Sequence, residues 1–315
     1  MTTTILLLCA DRADLLRHSL PAALEQDDAE VVVIDNASND ETPRVTNELG
    51  ARHLRFERRL TYCEANNAAI AATRGDSVLL LNSDCFLAPG FLAAARPRLD
   101  EDGVGAVAPK LVRTDGPLPE QRLDAIDAAG MWVDRRRKNG LVGHGRPSLA
   151  YDAPGEVFGA DGAAALFRRE MLEQCAVGGE VLDETFEKWA CDVDLAWRGH
   201  LLGWRCAYEP RAVAYHVRSY GPATRARMPE RDRRLQFRNR YLMMVKNDNL
   251  RALRRDLHRV AAWEALALGH ALLRERHLLR GYAELWRLLP EARRRRVATA
   301  RARTAAVPFG LEPQP

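Results

Sequence analysis

Asn82 and Asp84 stand two apart directly after the apolar run Leu79-Leu80-Leu81. A carboxylate at such a place can hold a hard divalent cation, and the cation can screen a diphosphate that no single side chain neutralises. Four other residues have usable chemistry. Asp35 follows the apolar run Val31–Ile34, and His216 follows Ala212–Tyr215. Asp192 and Asp194 precede the helix stop Gly203, and either could take a proton from a hydroxyl. Taken one at a time, each has a plainer reading. Asp35 and Asp84 suit Asx turns, the acid pair suits the positive end of a helix, and a lone histidine suits a satisfied core. Asp192 and Asp194 cannot share a helix face, so one is expected at a cleft while the other caps or faces solvent.

The elements around these residues alternate. Strands are expected at Ile5–Leu8, Val31–Ile34, His53–Phe56 and Ser77–Leu81. Helices fit between them: one capped by Asp11 and running to about Leu24, one from Thr42-Pro43 to Gly50, and one over Cys63–Thr73. Strand–helix alternation calls for an α/β fold with a doubly wound, mostly parallel sheet and flanking helices. Ligands bind such sheets at the carboxyl ends of the strands, where Asp35, Asn82 and Asp84 fall. Neither GxGxxG nor GxxxxGK[ST] occurs, so a dinucleotide fold and a P-loop are unsupported.

Beyond a strand at Val104–Ala108, residues 110 to 156 form a Gly-, Pro- and Arg-rich excursion too long for an ordinary connection and expected to be functional. Regular structure resumes with Gly162–Phe167, a short helix from Arg168, and Thr185–Leu202. Trp204–Tyr208 and Ala212–His216 read as two strands.

The 315 residues suffice for a large core, and no stretch of eighteen apolar residues occurs. The opening Met-Thr-Thr-Thr lacks the basic start of a signal peptide, so a cytoplasmic location is expected. Six cysteines without CxxC or zinc spacing read as reduced thiols. From residue 250 onward 14 arginines face 6 acids, a balance of +8 within a total of +4. Leu253, Leu257, Val260, Leu268, Leu272 and Trp286 recur there at helical spacing, ahead of the cluster Arg293–Arg296. That pattern fits a helix on the inner, anionic face of a plasma membrane, with Trp263 and Trp286 at the interface. It fits equally a helix packed on the rest of the chain or on the same helices of a homodimer. Nucleic acid is not expected as a partner, since no aromatic platform interleaves the arginines.

Seven segments in order give these residues a context: Val-Val-Val-Ile-Asp-Asn-Ala-Ser (31 to 38), Glu-Ala-Asn-Asn-Ala-Ala-Ile (64 to 70), Leu-Leu-Leu-Asn-Ser-Asp (79 to 84), Gly-Ala-Asp-Gly-Ala-Ala-Ala-Leu-Phe-Arg-Arg-Glu (159 to 170), Asp-Val-Asp-Leu-Ala-Trp-Arg (192 to 198), Gly-Trp-Arg-Cys-Ala-Tyr (203 to 208) and His216. Together they resemble family 2 glycosyltransferases with the GT-A fold. The rhamnosyltransferase-like branch, which also carries a segment like Arg-Asn-Arg-Tyr-Leu-Met-Met-Val-Lys-Asn (238 to 247), is the nearest in look. The resemblance covers roughly residues 3 to 249. It implies a GT-A domain over 1–249, with a nucleotide-sugar half at 1–108 and an acceptor and catalytic half at 109–249. Residues 250–315 remain as a basic amphipathic helical tail.

The resemblance also implies roles. Asp35, Asn36, Asn66, Asn82 and Asp84 would bind the donor nucleotide, Asp84 and His216 would hold Mn²⁺ or Mg²⁺, and Asp192 would be the general base of an inverting transfer. Trp189, Asp194 and Arg198 would contact the acceptor or support the site. The implied reaction moves a sugar, first L-rhamnose from dTDP-rhamnose and next a UDP-sugar, to a glycan or lipid-linked acceptor in cell-surface polysaccharide synthesis. A catalytically silent GT-A-like module that binds a nucleotide or glycan is the alternative. Relatives have Glu where this chain has Cys191, aromatic residues at Glu187 and Lys188, and Asn-x-Gly at Arg59-Leu60-Thr61, departures that bear on the donor pocket.

Overall fold

In the computed structural model, residues 1–300 and 302–311 are described, without the side chains of 222 and 223. The apolar runs become central strands because a strand covered on both faces must be apolar throughout. These are β1 (Thr3–Cys9), β2 (Ala29–Asp35), the short β3 (Arg52–Arg55) and β4 (Ser77–Asn82), all parallel in the order β3-β2-β1-β4. Cys9 lies level with Asp35 and Leu8 with Asn82, so the carboxyl ends of β2 and β4 open on one edge. The connecting helices are α1 (Ala13–Leu24), α2 (Thr42–Glu48) and α3 (Tyr62–Ala71). Thr61 and Glu64 form a capping box at the start of α3. Asp11 does not cap α1: it has a φ of 54° and accepts from the Asn39 N–H. The cap comes from Asp40, which accepts from the Ala13 N–H at 2.8 Å.

The second half adds β5 (Cys85–Leu87), α4 (Phe91–Leu99), β6 (Val104–Thr114), β7 (Arg122–Ala128), β8 (Met131–Val133), β9 (Asn139–Leu141), β10 (Gly155–Val157), β11 (Ala164–Arg168), α5 (Arg169–Cys175), α6 (Cys191–Leu201) and β12 (Arg205–His216). The sheet runs β10-β12-β6-β11-β4-β1-β2-β3, with β5 on β12 and β7 on β6. It is mostly parallel; β11 is inserted antiparallel between β4 and β6. Apolar clusters fill both of its faces. The expected excursion at 110–156 therefore carries several strands: β6 continues to Thr114, and β7, the hairpin β8–β9 and β10 follow. Its buried charges conceal this in the sequence, as with Lys110 in β6, which is ion-paired to Asp152. The two strands expected at 204–208 and 212–216 are one strand. Its register shifts between Glu209 and Val213, around a proline that cannot donate to a ladder.

Three helices complete the chain: α7 (Glu230–Asn247), α8 (Leu250–Leu273) and α9 (Leu279–Ala300). Among the described residues, none of the helices is long and apolar enough to cross a membrane. α9 lies close on α7 because Gly281 leaves room for the Phe237 ring, which stacks edge-on with Tyr282 at 5.1 Å. Arg137, fully buried at the tip of the β8–β9 hairpin, pairs with Asp248 at 2.8 Å and Asp256 at 2.9 Å. Phe309 packs against that same guanidinium, 4.1 Å from it, and 5.2 Å from Trp197. The basic tail is thus bonded to the rest of the chain. Arg295 pairs with Glu180 and Arg296 donates to the Val245 carbonyl, while Trp263 lies under Arg136 and Lys138. These three were expected at a lipid interface and instead face inward.

Candidate active site

Asp84 lies in the turn after β4, and β12 brings His216 beside it. The His216 Nε2 is 3.5 Å from the Asp84 Oδ1, too far for a good hydrogen bond, and that buried oxygen has no partner among the described residues. The other ring nitrogen, Nδ1, is 2.8 Å from the Asp127 Oδ2. A carboxylate behind one imidazole nitrogen, with the second aimed at an unpartnered oxygen, is the usual support of a metal-ligating histidine. Burial lowers the His216 pKa, but Asp127 and Asp84 outweigh it and raise it to about 9. Among the described residues no group of three His, Cys, Asp or Glu could hold a cation by itself. Asp84 and His216 therefore fit a cation completed by a ligand's own oxygens, as a diphosphate would supply.

Behind these residues runs a line of charges. Arg218 spans Asp127 at 2.6 Å and Asp161 at 2.7 Å, and Asp161 in turn raises the pKa of Asp192 through space. Asp192 sits in the first turn of α6, where its Oδ2 accepts from the Gly162 N–H at 3.3 Å and its Oδ1 from the Val193 N–H at 2.8 Å. Burial and the Asp161 charge push it up to about 6 against those two hydrogen bonds. It has no cationic partner among the described residues. Gly162 is required by the approach: a Cβ there would meet the Tyr62 hydroxyl at 2.8 Å, and that hydroxyl donates to the Gly162 carbonyl. A carboxyl group poised near neutrality, without a cationic partner and partly exposed is suited to proton abstraction.

Asp194 is a different group. It neither caps α6 nor faces solvent, as one of the pair was expected to do. Its carboxylate is fully buried and bonded to Arg198 at 2.9 Å, to the Lys246 Nζ at 2.9 Å and to the Asn247 Nδ2 at 2.7 Å. Arg198 also donates to the carbonyls of Val181 and Cys175. Both are tied into the core beneath α6.

Just ahead of α6, Glu187, Trp189 and Ala190 all have φ near 60°, a strained run for residues other than glycine. Asn239 of α7 holds it, its amide donating to the carbonyls of Phe186, Lys188 and Trp189 at 2.8 to 2.9 Å. Arg238 adds the Thr185 carbonyl. The segment 238–247 thus clamps the turn that presents Asp192, and the buried Trp189 Nε1 has no partner among the described residues.

The residues expected to bind the nucleotide are used unequally. Asp35 is fully buried at the end of β2, accepting from the Ser38 N–H at 2.8 Å, from Arg55 at 2.8 Å and from His53 at 3.2 Å. Asn36 exchanges two hydrogen bonds with the backbone of Leu60 and so fixes the loop before α3. Asn66 donates within α3 to the Tyr62 carbonyl, while its neighbour Asn67 bonds both the N–H and the carbonyl of Leu182. The side chain of Asn82, half-buried at the end of β4, makes no hydrogen bond among the described residues. Sequence reasoning missed Asp127, Asp161 and Arg218. Asp161 stood inside a quoted segment, but its partner lies 57 residues on.

Comparison with known proteins identifies the family and the fold. Residues 4–175 match the family described as Glycosyl transferase family 2. An uncharacterized protein, y4gI, of Sinorhizobium fredii is 28% identical over 258 residues, 75% of this chain and 26% of its own. The chain thus spans about a quarter of that curated relative's length. The S. aureus TarS fragment 1-349 in complex with UDP-GlcNAc superposes with a TM-score of 0.61 at 17% identity, covering 96% of this chain and 90% of that one. The mannosyltransferase PcManGT from Pyrobaculum calidifontis, in complex with GDP-Man and Mn²⁺, gives 0.52 at 20% identity over 95% and 79%. With more than half of its length matched by one family and its sheet shared with these enzymes, the chain belongs to glycosyltransferase family 2 and has the GT-A fold.

Proposed function

We propose that this protein transfers a sugar, with inversion, from a nucleoside-diphosphate sugar to a hydroxyl of a glycan or lipid-linked acceptor. Asp84 and His216 would hold Mn²⁺ or Mg²⁺, and a cation there would offset the charge of the diphosphate leaving group. Asp192 takes the acceptor proton. One observation carries this reading: a line of charged side chains, each within 3.5 Å of the next, from Asp84 through His216, Asp127 and Arg218 to Asp161, whose charge reaches the unpaired Asp192 through space. Asp194, saturated by Arg198, Lys246 and Asn247, is not free to act as base.

Asp35 and Asn82 line the nucleotide end. The likeness to the rhamnosyltransferase-like branch makes dTDP-L-rhamnose the first donor to try. UDP-sugars come next, since TarS is bound to UDP-GlcNAc, and GDP-mannose follows from PcManGT. The reaction belongs to cell-surface polysaccharide synthesis, at the inner face of the plasma membrane. A silent module that binds without transfer is the second reading, favoured by Cys191 next to Asp192, where relatives have Glu.

Asp192→Asn separates the two. For the transferase, donor-dependent thermal shifts persist while turnover falls by about 100-fold or more. Wild-type protein that binds donor and transfers to none of a panel of acceptors would establish the silent module. A mild Asp192→Asn beside a folded but inert Asp194→Asn would move the base to Asp194.

A further inference from the structure

α8 presents its inner face to the chain and leaves the outer one bare. Asp256 meets Arg137 and Arg135, Val260 is buried, and Glu264 bonds Arg240 at 2.6 Å and Tyr241 at 2.5 Å. About a quarter-turn round the helix from that face Leu250, Leu257, Ala261, Leu268 and Leu272, all exposed, recur at one- and two-turn spacing. They form an exposed apolar stripe along a helix of about 36 Å. Leu257 is 56% exposed, and on neighbouring α9 the indole of Trp286 is 72% exposed.

The charges around that stripe have one sign. Among the described residues Arg251, Arg254, Arg259, Arg280, Arg287 and Arg293 are exposed and make no ion pair. Every acid of α8 and α9 is engaged by arginine: Asp256 and Glu264 as above, Glu284 by Arg234 at 2.7 Å, and Glu291 by Arg294 and Arg295. Two copies meeting through this surface would oppose arginine to arginine with no carboxylate between them. An anionic headgroup layer supplies the missing charge, and its acyl boundary receives the leucines and the indole.

We propose that the outward faces of α8 and α9 dock on an anionic lipid bilayer. Of the surface the sequence suggested, Arg295, Arg296 and Trp263 are spent inside the fold, while Leu257, Leu268 and Trp286 remain exposed. This deepens the reading of a membrane-side acceptor, and it fails separately from the donor chemistry, which thermal shift reports on its own.

Sedimentation of the full chain with vesicles of phosphatidylcholine, alone or mixed with phosphatidylglycerol, tests it. Wild type is expected to bind only the mixed vesicles and to release from them between about 50 and 500 mM salt. Each arginine is worth about fivefold in partition, so Arg254→Gln with Arg259→Gln weakens binding about 25-fold. Leu257→Glu with Leu268→Glu abolishes it while leaving the donor-dependent thermal shift and the circular dichroism spectrum unchanged. Wild type that stays in the supernatant overturns the proposal, as does sedimentation unaltered in both variants. So does a dimer in light scattering that Leu257→Glu with Leu268→Glu splits, without lipid binding in wild type.

Discussion

Asp192 and Asp194 are two residues apart on one helix and share no partner. Asp194 faces two cations and an amide, whereas Asp192 faces two backbone N–H groups and the negative charge of Asp161. Since the base works ionised, kcat/KM should rise with pH through an acid limb near 6. Asp161→Asn removes the repelling charge and leaves Arg218 closer to uncompensated, so the limb should move to lower pH. A profile that stays in place or moves up would remove Asp161 from the account. At the other end of the line, Asp84→Ala should abolish the Mn²⁺ dependence of donor binding in calorimetry, and His216→Ala should reduce it less. Asp84 and His216 were legible because each follows an apolar run, and Asp192 because it opens a segment that resembles the family's. Its middle was not: Asp127 and Arg218 meet 91 residues apart, and no local pattern marks a pair made by tertiary folding.

Among the elements, the β8–β9 hairpin depends on one side chain. Arg137 holds Asp248 and Asp256 together at the α7–α8 junction, and all three groups are buried. Removing one partner of such a cluster leaves uncompensated charge. Arg137→Ala should therefore cost about 3–5 kcal/mol, lowering Tm on the order of 10 °C; a loss of only a degree or two in differential scanning calorimetry would show the clasp to be dispensable. Strands β1, β2 and β4 were readable because burial on both faces demands unbroken apolar runs. The cap of α1 was not, since Asp40 arrives from 27 residues away. β7 and β10 escaped notice because strands on the flanks of the sheet tolerate charge, arginine and aspartate in β7 and glutamate in β10, which reads as loop.

For the molecule as a whole, the unpaired Asp192 is a cost in stability. Its folded pKa lies above the unfolded value, so the destabilisation is full above about pH 6, shrinks as pH falls, and vanishes near the ordinary carboxylate range. Asp192→Asn should be more stable than wild type at pH 8, by about 1 kcal/mol or ~2–4 °C, with the gain fading toward pH 4. A gain that grows on acidification would contradict the assignment. The other consequence is temporal. Phe309 fills a place beside Trp197 and Phe158, and the Gly310 N–H bonds the Val133 carbonyl, yet the whole sheet is synthesised by His216. A ribosome must add roughly 90 more residues before the plug arrives, an interval of about 5–20 s at ordinary elongation rates. Throughout it the helix bearing Asp192 is a nascent, half-sealed surface. Arrested chains should turn from protease-sensitive to resistant within α6 only once residue 309 has cleared the exit tunnel.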